Sequence, residues 1–167
     1  MSTKLRFYSV NPEEEKRITI PKTLYDYLVF TRKISETQVL TITQYWLNVV
    51  SEPVRMRVRH TRDITSGYHL DTYEHTVKYP IGNGVDLEVT SELSIGQYDL
   101  IKSVVQNKDK DKKIRKYLTL SDFKLSGDYI VTADFKMDKP EEVVLEFEKT
   151  RDNSQSLVIP EYLLGGN

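Results

Sequence analysis

Residues 143–149 read VVLEFEK, and the alternation within this stretch decides the fold. In an extended chain, successive side chains point to opposite faces. Leu145 and Phe147 then share one face, and Glu146 and Glu148 share the other. Two carboxylates placed this way sit about 7 Å apart. Both stay ionised at that spacing when positive charge lies between them, from a divalent metal or from Lys and Arg. The same division recurs along the chain and predicts strands that enclose a polar cavity.

The sharpest recurrence is residues 54–62, VRMRVRHTR. Arg55, Arg57 and Arg59 alternate with Val54, Met56 and Val58, so one face is apolar and the other carries three guanidiniums. Like charges at this spacing repel. They suit an anionic partner or facing carboxylates, and the guanidinium fork matches phosphate oxygens. Residues 70–79 place Glu74, Thr76 and Lys78 on one face; residues 85–93 place Asp86, Glu88, Thr90 and Glu92 on one face. Residues 39–48, 113–119 and 129–137 complete the clear strands, with Trp46 read as structural. Residues 13–18, EEEKRI, fit either an acidic helix start or a strand presenting Glu13, Glu15 and Arg17 on one side.

Two segments read as helices. In residues 21–32, Leu24, Tyr27, Leu28 and Thr31 recur at helical spacing behind Pro21. In residues 94–105, Ile95, Tyr98, Ile101 and Val105 mark the apolar side, with Leu100 and Val104 beside them. The run NKDKDKK at 107–113 reads as a solvated loop, and residues 158–164 as a short packing segment.

Composition bounds the reading. The chain has 167 residues, a size that fits one domain able to bury a core. With 24 basic and 25 acidic residues, the net charge of -1 supplies no general attraction to nucleic acid. There are no cysteines, which excludes disulfides, thiolate catalysis and Cys-ligated zinc. The opening MSTKLRFYSV holds no long apolar run and does not read as a signal peptide. No window is apolar enough for a membrane span, and a cytoplasmic location is expected. The three histidines, His60, His69 and His75, lack metal-ligand spacing and read as surface or packing residues.

About eight strands and two helices result. The expected fold is mainly β (α+β): a closed antiparallel eight-stranded β-barrel with a polar tunnel and flanking helices. A plain sandwich with solvated charged faces is the other architecture the pattern permits. The expected organisation is an arm or edge strand over 1–12, one domain over 13–163 and a tail over 164–167.

The order of these motifs resembles the CYTH, or triphosphate tunnel metalloenzyme, superfamily. Glu13, Glu15 and Arg17 match its opening Glu-x-Glu-x-Arg. Gln44, Tyr45 and Leu47 look like its second strand, Arg57 and Arg59 like its Arg-x-Arg strand, and Lys78 like its Thr-Val-Lys strand. Glu88 and Glu92 look like a further acidic strand, and Lys113 with Arg115 like the next basic one. Asp134-Phe135, then Glu146 with Glu148, then Ile159-Pro160 follow in the same order.

That resemblance implies a divalent-metal-dependent triphosphatase. Arg17, Arg57, Arg59, Lys78, Lys113 and Arg115 would hold phosphate oxygens. Glu13, Glu15, Glu146 and Glu148 would bind Mg²⁺ or Mn²⁺. Glu88 and Glu92, with Lys78, would act in catalysis by orienting water or a second ion. The expected substrate is a small-molecule triphosphate (inorganic, nucleoside or thiamine), with an RNA 5′ end as the other candidate and no membrane partner. A non-catalytic binding module for a nucleotide or phosphorylated ligand is the alternative. Oligomeric state is not encoded in any local pattern.

Overall fold

The computed structural model describes residues 3–9, 15–47, 51–82, 85–104, 108–121, 129–149 and 159–164. Among the described residues, nine strands and three helices follow in chain order. They are β1 (Thr3–Ser9), β2 (Glu15–Pro21), α1 (Lys22–Phe30), β3 (Ile34–Leu47), β4 (Arg55–Asp63) and β5 (Leu70–Gly82), then β6 (Val85–Glu92), α2 (Ile95–Val104), β7 (Lys108–Leu120), β8 (Tyr129–Lys136), β9 (Glu142–Lys149) and α3 (Glu161–Leu164). The segment 107–113, expected as a loop, instead supplies the start of β7 from Lys108 onward.

The strands hydrogen-bond in the order β1-β6-β5-β4-β3-β7-β8-β9-β2. Among the described residues β1 and β2 are the two end strands and do not pair with each other, so the expected closed eight-stranded barrel is not found. The reason lies in what alternation encodes. A period of two reports which face a side chain takes. It carries no information on whether the first and last strands meet, because that seam is made by backbone groups common to every residue.

The chain divides into two compact units, Met1–Val10 with Thr41–Lys112, and Asn11–Leu40 with Lys113–Asn167. In the first, β4, β5 and β6 pair antiparallel in succession and β1 adds to β6. Their apolar face packs Leu47 and Val58 against Tyr98 of α2, joined by Met56, Tyr73, Leu93 and Ile101. Ser94 and Gln97 exchange side-chain-to-backbone hydrogen bonds of 3.1 and 2.8 Å, a capping box that fixes where α2 starts. Leu100 and Val104 face outward, and so does Ile95, contrary to the expected stripe; Val105 lies outside the described residues.

In the second unit, β7, β8, β9 and β2 pair in that order. Their apolar face, with Ile20, Val131, Ala133, Val143, Leu145 and Phe147, packs under α1 through Tyr25 and Leu28, with Leu163 of α3 in the same cluster. Tyr27, expected in the buried stripe, is exposed, and Tyr25 takes its place. The helix ends in a Schellman motif. Lys33 N–H donates to the Leu28 carbonyl and Arg32 N–H to that of Val29. Arg32 therefore sits at φ 63°, where glycine is usual. Arg32→Gly is expected to stabilise the chain by about 1 kcal/mol, read as a higher denaturation midpoint. A lower midpoint would show that the Arg32 side chain contributes more than the backbone strain costs.

Candidate functional site

The polar face of the first unit is set by register. Arg55 lies opposite Lys78, and Lys78 opposite Glu88. The next row is Arg57, Thr76 and Thr90, and the one after is Arg59, Glu74 and Glu92. On this face Thr76, Glu88 and Thr90 are buried. Buried polar groups need partners. Thr76 and Thr90 hydroxyls meet at 3.1 Å, and Thr90 donates to Glu88 Oε1 at 3.3 Å. Lys78 Nζ lies 3.8 Å from Glu88 Oε2.

Two residues of β3 complete this face. The Trp46 ring lies 5.6 Å from the Arg55 guanidinium and 5.5 Å from that of Arg57, both in cation–π range. Gln44 is 3% exposed and accepts two hydrogen bonds from Arg59, at 2.9 and 2.6 Å, while donating to Asp111 at 2.9 Å. A buried amide held from both sides fixes where the Arg59 fork points. Burial holds the Lys78 ammonium below its ordinary value, and the charge of Arg57 pushes the same way, followed by those of Arg55 and Arg59. Glu88 opposes this shift in part. The repulsion is the electrostatic mark of four cations gathered on one strand pair.

The polar face of the second unit is built differently. Arg115 donates to both oxygens of Asp134, at 2.8 and 2.9 Å, and Lys113 Nζ lies 3.0 Å away. Burial alone would raise the Asp134 carboxyl, but the Arg115 fork and then Lys113 outweigh it, so the group sits below its usual range. Arg115 is likewise penalised by burial yet ends above its ordinary value because of Asp134. Glu146 takes an ion pair from Arg17 at 2.8 Å across the β2–β9 ladder. Glu148 lies opposite Glu15 in the same register.

The expected site residues therefore fall into two sets. Arg57, Arg59, Lys78, Glu88 and Glu92 belong to the first unit, where Lys78 and Glu88 come together and Glu92 sits in another row opposite Glu74. Arg17, Lys113, Arg115, Glu146 and Glu148 belong to the second. Glu15 has a place in the register, its side chain lies outside the described residues, and Glu13 lies outside them altogether. Gln44 and Asp111 were not read as members of this charged face, Arg55 was read on it with Arg57 and Arg59 but not among the phosphate-binding residues, and Trp46 was read only as packing. Trp46 did carry a signal: its position alternates in phase with Gln44, one strand from the arginines.

The expected triphosphatase is overturned by these findings. It required a closed tunnel and gathered carboxylates. The sheet is open, and among the described residues no group of three or more His, Asp or Glu could hold a metal ion. Physically, Glu146 meets Arg17 across the β2–β9 ladder at 2.8 Å, so its partner is an exposed guanidinium. No helix among the described residues is long and apolar enough to cross a membrane.

No protein-family model matches the sequence, and no curated protein matches it. Solved structures do. PH1819 protein from Pyrococcus horikoshii OT3 aligns with a TM-score of 0.57 at 13% identity, over 84% of this chain and 80% of that one. PH1012 protein from the same organism gives 0.55 at 14%, over 83% and 80%. The conserved hypothetical protein Pfu-838710-001 from Pyrococcus furiosus gives 0.53 at 17%, over 91% and 85%. Likeness at such identities shows the fold alone. With the sheet open and no family model matching, membership of the tunnel-enzyme superfamily does not stand.

Proposed function

We propose that the first unit is a binding module for a phosphorylated small-molecule polyanion, such as an inorganic, nucleoside or thiamine triphosphate. One observation carries the reading: register and burial gather Arg55, Arg57, Arg59 and Lys78 on one partly buried polar face, where they repel one another. An anion placed there relieves that repulsion, and forked guanidiniums bind phosphate oxygens in pairs. Thr76 and Thr90 add hydroxyls between the charged rows. Mg²⁺ or Mn²⁺ belongs to this reading as the ligand's own counter-ion, and a cytoplasmic location, where such metabolites are held, goes with it.

The test is calorimetric titration of the full chain with sodium tripolyphosphate, thiamine triphosphate, ATP and a 5′-triphosphate RNA oligomer, each with and without Mg²⁺. Saturable binding that weakens with salt is expected. Arg57→Ala is expected to lower affinity about tenfold, the loss of one charge-assisted contact. Arg62→Ala should leave it unchanged, because Arg62 lies out of phase with that face and pairs with Asp71 at 2.8 Å. No binding at low salt, or equal losses in the two variants, would overturn the reading. Tight binding of the RNA alone would move the ligand class to RNA ends.

A further inference from the structure

The second unit holds a cavity of about 450 Å³ that the polyanion reading does not use. It is lined by residues of α1, β3, β7 and β8 and of the turn that leads into β9. Its apolar lining includes Tyr25 and Val29 from α1, Ile114 from β7 and Phe135 from β8, with Met137 at the turn beyond. Tyr25 and Phe135 meet edge to face, with ring centroids 4.9 Å apart. A volume of several hundred Å³ with apolar walls and a few convergent polar groups is the usual form of a small-molecule site.

The polar groups define what would enter. Glu36 lines the cavity and receives two hydrogen bonds on Oε2, from the Tyr25 hydroxyl at 2.6 Å and from Lys116 Nζ at 2.7 Å. Lys116 also lies 5.0 Å from the Phe135 ring centre. A carboxylate accepts at both oxygens, so Glu36 keeps acceptor capacity at Oε1. Its charge is met by Lys116, and Lys22 at the rim is met by Asp26 at 2.9 Å. Lys136 and Glu142 also line the cavity, so the lining holds three basic and three acidic residues and offers no net charge to a charged ligand. Burial, with Glu36 as the next cause, raises the Tyr25 phenol above its ordinary value and keeps it a proton donor at neutral pH.

We infer that this cavity binds a neutral, planar aromatic small molecule that donates one hydrogen bond to Glu36. The aromatic body lies against Tyr25, Val29 and Phe135. The site is separate from the cationic face in its residues, and it stands whether or not that face binds phosphate.

Indole is the probe: it is neutral and planar, and it has one N–H. Titration of the isotope-labelled full chain, followed by amide NMR, is expected to give saturable shifts grouped at residues 22–30, 114–116 and 135–137. 1-Methylindole, which lacks the donor, should bind about tenfold more weakly. Val29→Trp, which fills the space, should abolish the grouped shifts. Met137→Trp, placed at an exposed turn, does the same from the other wall and serves if the first variant fails to fold. Scattered or non-saturable shifts, or unchanged binding in a folded filled variant, would overturn the site. Equal affinity for indole and its methyl derivative would overturn the Glu36 assignment.

Discussion

Asp134→Ala is expected to destabilise the chain by about 3–5 kcal/mol, the cost of breaking a buried ionic cluster from one side. Asp134 is 9% exposed and takes the Arg115 fork and the Lys113 ammonium together. Its removal leaves two largely buried cations facing each other without the carboxylate that drew them in. In a Lys113→Met background the loss should shrink, because one of the two cations is already gone. Acid gives an independent reading of the same cluster. The folded carboxyl lies below the ordinary carboxylate range, so the stability it contributes is fully present above that range and is lost as pH falls through the depressed value. Denaturation midpoints followed from pH 6 downward should therefore fall more steeply in the wild type than in Asp134→Asn. Parallel curves would remove Asp134 from the account of acid stability.

Phe147→Ala is expected to cost about 3–5 kcal/mol as well, by a different route. The ring is fully buried in a cluster with Val131, Leu145 and Leu163, so truncation leaves a cavity that a sheet flanked by a helix can only partly close. Urea denaturation should show a lower midpoint with an unchanged slope, since the surface exposed on unfolding is nearly the same. A loss below about 1 kcal/mol would mean that this face is loosely packed.

The residues explain which parts of this architecture could be read in advance. Strong alternation in 54–62 and 143–149 placed β4 and β9 and assigned their faces, because one side of each strand is apolar. The two helices were found for the same reason, although α1 buries Tyr25 where Tyr27 was expected. Both tyrosines lie near the apolar stripe, and only the packing of the Tyr25 ring on Phe135 and its bond to Glu36 decide between them. The start of β7 was hidden by its composition. Lys108, Lys110 and Asp111 look like a solvated run, yet Asp111 belongs to a strand and accepts a hydrogen bond from buried Gln44. That contact joins positions 67 residues apart, beyond any local window. The candidate residues were legible as charges on faces. The partner of each charge was not, because Arg17 beside Glu146 and Arg115 beside Asp134 follow from strand order.

The two units are interleaved along the chain, and this has a consequence for a newly made polypeptide. Thr41–Lys112 separates the two pieces of the second unit. Strand β2 is synthesised before β4, β5 and β6, but its ladder partner β9 follows after them; Arg17 and Glu146 are 129 residues apart. Meanwhile β4, β5 and β6 can pair as each leaves the ribosome, since their contacts are sequential neighbours. The first unit can thus mature while Ile18 and Ile20 still lack their cover from Val143 and Leu145. Strand β2 is a waiting edge until β9 is made, and the window in which a chaperone or a second nascent chain can capture it is set by translation speed.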